Sequence, residues 1–433
     1  LRIVEIAGND PHLTFVSLPP SEHTWRIAKR SAIARVAMTM PLLPVAEAQA
    51  RLFDLAPRME AETVPLGAAA GRWVAAPIAA LRTQPAADLS SMDGYAIRYA
   101  DLPAPLKVIG ESAAGRPFRG RLSMGKAVRI FTGAALPAGA DTVMIQEEVS
   151  RQGDRVTLTG EGPPRPGANV RLKGLDFTQG TRLIERGERL TPARLALAAS
   201  AGHGALPCNR RLRVAILATG DELVAPGTDP ANPLALPEAN SVMLAAMLAD
   251  LPVDVELLGI IPDDLDALTA AFSAIQADII VTSGGASVGD HDLIRPALHA
   301  AGGKIDFWRI AMRPGKPMLA GRLGSAMLLG LPGNPVSAFV TATLFLRPLI
   351  AAMAGAADPF PARSAATLAE PLPANDGRED YLRAKVADGT ISVAAVQDSS
   401  MLATLARANC LVVRERHASA AVAGDKVQII GLA

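Results

Sequence analysis

Between residues 212 and 356 the chain alternates short buried-strand runs with helical stretches, and no other feature restricts its fold as much. Strand patterns cover residues 212–218, 253–260, 278–283, 305–311, 318–320 and 326–331, and helical patterns cover 241–251, 264–276, 292–300 and 336–353. Such alternation predicts a doubly wound, mostly parallel sheet with helices on both faces. Open sheets of this kind bind ligands beyond the carboxyl ends of their strands. The loops at those ends are therefore where chemistry is expected.

Three of them are rich in glycine. Thr219-Gly220-Asp221-Glu222 follows the first strand, and Ser283-Gly284-Gly285-Ala286-Ser287-Val288-Gly289-Asp290-His291-Asp292 follows the third. Leu331-Pro332-Gly333-Asn334-Pro335-Val336-Ser337 follows the last. Glycine lets backbone N–H groups turn toward an anion, and the following helices offer positive dipole ends. One such loop is an ordinary tight turn; three on one edge predict a phosphate cradle. Asp221, Glu222, Asp263, Asp290 and Asp292 share these loops or lie near them. Carboxylates repel phosphate unless a cation stands between, and Mg²⁺ takes one or two carboxylates together with phosphate oxygens. Helix capping is the structural alternative, above all for Asp264 and Asp290. Arg309, Arg313 and Lys316, in Arg-Ile-Ala-Met-Arg-Pro-Gly-Lys-Pro, suit a tetrahedral oxyanion. Their structural alternative is solvated surface charge.

The flanking regions differ in character. Residues 41–55 have a helical period, broken at Pro57 and Pro65. Residues 79–185 are dense in Gly and Pro, with strand runs at 106–109, 127–131, 142–149 and 155–159 and a hairpin turn at Gly153-Asp154. Thr191 and Pro192 mark a helix start. Residues 361–433 return to short strands, as in a small β-barrel. Gly120 to Lys126 resembles a P-loop, but Ala127 stands where a Ser or Thr would hold Mg²⁺, so a hairpin turn is expected. Gly285 to Gly289 matches G-x-S-x-G, but Ser287 lies several residues past the strand and no HGGG-type segment accompanies it, which argues against a serine hydrolase. A net charge of +1 and no basic patch interleaved with aromatics argue against a nucleic-acid partner. The apolar stretch 339–357 carries Arg347 and Pro348 and reads as a buried helix, not a membrane span. Cys208 and Cys410, without Cys-x-x-Cys spacing, fit a reducing, cytoplasmic compartment. Residues 1–40 read as an extension of unknown role, with Met38 or Met40 as the natural beginning.

Seven separated motifs, in this order, resemble the molybdopterin molybdenumtransferase family, which includes the E domain of gephyrin. They are Ser91-Met92-Asp93-Gly94-Tyr95-Ala96, Phe131-Thr132-Gly133-Ala134, Gly139-Ala140-Asp141, Thr219 to Glu222, Ser283 to Gly289, Arg313-Pro314-Gly315-Lys316-Pro317 and Gly330 to Ser337. The resemblance spans residues 41–433. It implies insertion of molybdate into adenylated molybdopterin with release of AMP, Mg²⁺ as cofactor, and an elongated four-domain homodimer. The domains would be a helical linker (41–78 with 186–211), a β-rich module (79–185), a molybdopterin-binding α/β domain (212–360) and a C-terminal barrel (361–433). The resemblance implies catalytic roles for Asp93, Thr132, Asp176, Glu222, Asp263 and Asp292, the last three also as metal ligands. It extends the binding set of the loops and the arginine turn to Arg171, Arg383 and Ser399, with Ser337 after the last glycine turn. Asp93 and Thr132 would complete the site of the partner subunit. The family usually has Lys where Arg309 and Arg313 stand, and Leu236-Pro237-Glu238-Ala239-Asn240 departs from its D-[ST]-N pattern. Two rivals stand beside this reading. One is the adenylyltransferase that makes the AMP-bearing substrate, which is also a possible contact partner; a single α/β domain suffices for it. The other is a pure scaffold, which has no need of the charged site residues.

Overall fold

A computed structural model of the chain describes residues 42–229, 232–285 and 293–432. The expectations for residues 1–40 and for Ser287, Gly289, Asp290 and Asp292 lie outside the described residues. The α/β sheet has six strands: β1 (Leu212–Thr219), β2 (Val253–Ile261), β3 (Ile279–Ser283), β4 (Lys304–Trp308), β5 (Leu319–Leu323) and β6 (Ala326–Leu331). Their spatial order is β2-β1-β3-β6-β5-β4. The first four run parallel, as expected. β5 and β4 run antiparallel. The cause is local. Leu323 pairs with Ala326 across the two-residue turn Gly324-Ser325, where Gly324 has φ +60°, and so short a connection joins only antiparallel strands. In the central strands every residue of β3 and β6 is buried, as is all of β1 except Arg213.

Ala218 pairs with Ser283 and Ser283 with Leu331, so the three glycine loops leave the sheet side by side. The last of them opens a long buried helix with a π turn in its middle: Pro335–Thr341, Ala342–Leu346 and Arg347–Met353. A π turn displaces the regular hydrogen-bond ladder. Gln49, on the helix Val45–Leu55, donates its side-chain amide to Leu344 O at 2.7 Å. Val45, Ala48 and Leu52 of that helix join the same apolar core as Phe345, Leu349 and Ile350.

The β-rich module is a six-stranded sheet in which the strands expected near 106–109, 127–131 and 155–159 are present, while the expected 142–149 divides at a helical turn, 146–148, into 142–145 at one edge and 149–152 at the other. It also contains Gly94–Ile97, second from one edge, between 126–130 and 142–145. A Cβ at Gly94 would stand 1.8 Å from Met144 O, so only glycine fits there. Gly153, with φ +61°, makes the expected hairpin turn. The Gly120–Lys126 segment is not a hairpin turn. It belongs to the connection between Leu106–Ser112 and Lys126–Ile130, which pair parallel and so need a crossover. The chain passes between this module and the α/β domain through two antiparallel pairs, Ala61–Pro65 with Ala205–Asn209 and Ile78–Ala79 with Arg182–Ile184. Beside them lies the helix Pro192–Ser200, capped by the Thr191 side chain.

Residues 363–431 form a closed barrel: Glu379–Ala387 pairs with both Thr390–Val393 and Cys410–Arg414. Met312–Arg313 pairs parallel to Glu379-Asp380. The arginine turn of the α/β domain is thereby tied to the barrel by backbone hydrogen bonds.

Candidate functional site

A cleft of about 990 Å³ lies between the glycine loops and the barrel. Its floor needs glycine for two reasons. Gly284 and Gly285 have φ of +94° and +63°, and a Cβ on them would stand 2.5 Å from Thr219 O and from Ile294 Cγ1 respectively. Gly220, Pro332, Gly333, Asn334, Pro335, Ser283 and Ser337 also line it. Asn240 opens the helix Asn240–Leu248 and donates to Ser283 Oγ and to Gly333 O, each at 2.7 Å. It thus ties the loop after β3 to the loop after β6. The segment that departs from the family pattern still supplies this asparagine. Glu238, two residues earlier, is buried and accepts from Ser241 N at 2.9 Å.

Glu222 and Asp263 stand in the wall. Thr219 donates its hydroxyl to Asp263 Oδ1, and Asp263 N donates to Asp221 Oδ1 at 3.1 Å. Asp221 therefore acts behind the wall. Asp264 is the expected helix cap, accepting from Ala267 N at 2.8 Å. Among the described residues no three His, Cys, Asp or Glu are close enough to hold a metal by themselves. A wall with two oxygen donors, Glu222 and Asp263, fits Mg²⁺, which binds through one or two carboxylates and relies on ligand oxygens for the rest.

The cations divide by partner. Arg313 lines the cleft, yet its guanidinium is forked on Asp380, Nε to Oδ1 at 2.9 Å and Nη2 to Oδ2 at 2.6 Å. Asp376 is 3.5 Å away. Hydrogen bonding to Asp380 pushes the Arg313 pKa up. Lys316 also lines the cleft and forms no ion pair among the described residues. Arg309 is outside the wall; its backbone carbonyl accepts from Leu43 N. Arg383 is 1% exposed and lies beneath the wall. It donates to Gln397 Oε1 (3.2 Å), Met401 O (3.3 Å) and Val396 O (3.4 Å), which fixes the loop whose residues 397–400 form the barrel side of the cleft. Burial lowers its pKa. Ser399 closes the two sides together: its hydroxyl accepts from Asn334 Nδ2 at 2.9 Å and its carbonyl from Val336 N at 3.0 Å.

Asp93, Thr132, Arg171 and Asp176 lie in the β-rich module and do not line the cleft of their own chain. Asp93 Oδ1 accepts from Thr132 N at 2.7 Å and from Thr132 Oγ1 at 2.9 Å. These bonds, the backbone one first, hold the Asp93 carboxyl below its ordinary pKa, with help from Arg129. The Arg129 guanidinium stacks on Phe131 and Tyr95 at 4.8 and 5.2 Å. Arg171 and Asp176 are exposed. Sequence reasoning missed Arg378, Gln397 and Asp398, which also line the cleft. Arg378, beside Gly377 just before a barrel strand, was the readable signal.

Three family models match in succession: the MoeA N-terminal region (domains I and II) over residues 43–202, a probable molybdopterin binding domain over 215–352, and the MoeA C-terminal region (domain IV) over 365–432. The chain is 37% identical over 399 residues to a molybdopterin molybdenumtransferase of Haemophilus influenzae, covering 90% of this chain and 98% of that protein. It is 35% identical over 383 residues to molybdopterin molybdenumtransferase 2 of Mycobacterium tuberculosis, covering 85% and 94%. Among solved structures, the MoeA protein of Pyrococcus horikoshii superposes with a TM-score of 0.77 at 28% identity, covering 90% of this chain and all of that one. With the glycine loops, the barrel and the cleft between them all present, the chain belongs to the molybdopterin molybdenumtransferase (MoeA) family.

Proposed function

We propose that this chain inserts molybdate into adenylated molybdopterin with release of AMP, using Mg²⁺, as a late step of molybdenum cofactor assembly in the cytoplasm. The insertion of molybdenum into molybdopterin is the activity of its family. The observation that carries the finer reading is the composition of one cleft. It combines positive-φ glycine loops, the carboxylates of Glu222 and Asp263, the latter anchored by Thr219, and Lys316, which forms no ion pair among the described residues. The glycine loops and the N-termini of the helices starting at Asn240 and Pro335 bind phosphate oxygens. Lys316 attracts molybdate as a dianion; Arg313 and Arg378 line the same cleft but are held by Asp380 and Asp376. Ser399 and the loop held by Arg383 shape the oxyanion side. Glu222 and Asp263 would hold Mg²⁺, which, when bound, neutralises phosphate charge and polarises the phosphoanhydride. The Asp93–Thr132 pair completes the site of a second subunit in a homodimer, with Arg171 and Asp176 on the same module. The nucleotide-bearing substrate comes from the molybdopterin adenylyltransferase, a candidate contact partner.

The test is AMP release from adenylated molybdopterin. Release is expected to need both molybdate and Mg²⁺, and Glu222→Gln and Asp263→Asn are each expected to slow it at least a hundredfold, the scale of removing a group that stabilises transition-state charge. Release indifferent to molybdate and chelator removes the proposal.

A further inference from the structure

The β-rich module carries a charged feature that the cleft does not explain. From Ser112 to Ala140 the sequence has no Asp or Glu, yet it holds Arg116, Arg119, Arg121, Lys126 and Arg129. Arg116, Arg119 and Arg121 are exposed and form no ion pair or side-chain hydrogen bond among the described residues. Some exposed arginines of this chain are paired, such as Arg51 with Glu47 and Arg211 with Asp254, and others, such as Arg82 and Arg186, form no ion pair among the described residues but are not grouped as these three are. Arg116, Arg119 and Arg121 fall within six residues of a single loop, so their charges add to one local positive potential.

The loop is held in shape. Ala113 and Arg116 exchange backbone hydrogen bonds at 3.0 and 2.9 Å across a tight turn in which Gly115 has φ +77°. The Phe118 ring lies between Gly110 and Gly120, where added Cβ atoms would stand 2.5 and 2.6 Å from it. Arg121 is bridged to Ala138, and a Cβ at Gly139 would stand 2.6 Å from Leu122 O, which accounts for the glycine of the Gly139-Ala140-Asp141 motif. The base of the loop adjoins the Asp93–Thr132 pair: Phe131 N donates to Ser112 O at 3.3 Å, and Thr132 follows directly.

We infer that Arg116, Arg119 and Arg121 form an electrostatic guide that speeds capture of a polyanionic, phosphorylated nucleotide substrate into the shared site. The inference rests on the reading of that site given above. A fixed array of like charge beside a site entrance raises association rates by roughly 10–10³-fold at low ionic strength, and the gain fades as salt screens it. The guide acts on capture and takes no part in bond making, so it moves kcat/KM and leaves kcat alone.

The experiment compares the full-length native protein with Arg116→Glu/Arg119→Glu/Arg121→Glu and with the milder all-Gln triple variant, each checked for native circular dichroism and unchanged assembly mass. Stopped-flow pterin fluorescence gives the association rate constant for adenylated molybdopterin from about 20 to about 200 mM salt. The native rate should fall steeply with salt. The Glu variant should associate about tenfold or more slowly at low salt, the Gln variant should fall between, and the three should converge at high salt. Equal rates and equal salt slopes, or a loss that high salt does not remove, overturn the guide. AMP release is measured in parallel. Native protein that binds the substrate under salt control but releases no AMP leaves the guide standing and sinks the proposed reaction instead.

Discussion

At the scale of single residues, the cleft depends on side chains that bind neighbours before they bind ligand. Asn240 is 8% exposed and its amide satisfies both Ser283 Oγ and Gly333 O. Asn240→Ala leaves both acceptors buried without that donor, at about 1–3 kcal/mol. Urea denaturation is expected to show that loss, and calorimetry with AMP a weaker affinity, because the two phosphate loops lose their common tie. An unchanged denaturation midpoint would contradict the role given to Asn240. The sequence displayed charges but not their partners. Arg313 reads as an oxyanion ligand until Asp380, 67 residues away, is found in its fork. Arg383 reads as a binding residue by the family resemblance until the barrel closes over it. Glycine was more legible, because the backbone conformations of Gly284 and Gly285 exclude other residues whatever surrounds them.

At the scale of elements, periodicity located β1, β3 and β6, since strands buried on both faces are written as continuous apolar runs, and it located β2 as well, although that edge strand is buried only at Val253. It did not reveal the antiparallel pair at the sheet edge, although the Gly324-Ser325 turn was in view. It also missed Gly94–Ile97, a four-residue strand too short to show an alternating pattern. The π turn in the helix after Pro335 leaves no mark in hydrophobic pattern, because its residues are apolar all round. Its consequence is testable. Gln49→Ala removes the donor to Leu344 O in a closed core, so a destabilisation of about 1–3 kcal/mol is expected. Gln49→Met, which keeps the volume, should lose nearly as much, because the lost bond and not a cavity sets the cost. If Gln49→Met matches the native midpoint while Gln49→Ala does not, packing and not the hydrogen bond explains the residue.

At the scale of the whole molecule, the order of motifs along the chain was legible and their spatial grouping only in part. The three glycine loops meet as expected, but Asp93 and Thr132 belong to a module that contributes nothing to the cleft of its own chain. Pairing between subunits is what the proposed site requires. Mixing an Asp93→Asn chain with a Glu222→Gln chain should restore AMP release toward about a quarter of the native rate averaged over all dimers, because random pairing makes about half the dimers hybrid and each hybrid has one of its two sites intact. Hybrids that form, as shown by two separable tags, and remain inactive rule out a shared site. The closing of Met312–Arg313 onto the barrel was not legible either, since two residues carry no periodicity.

The adjacent strands Ile78–Ala79 and Arg182–Ile184 have one more consequence. The chain leaves for the β-rich module and returns from it at neighbouring points, so everything between is a cassette on a double stalk. Evolution can exchange, enlarge or delete such a cassette while the remaining chain needs only a short turn to rejoin its ends. The half of the proposed two-chain site that this cassette carries can therefore drift in sequence without disturbing the fold that holds the other half.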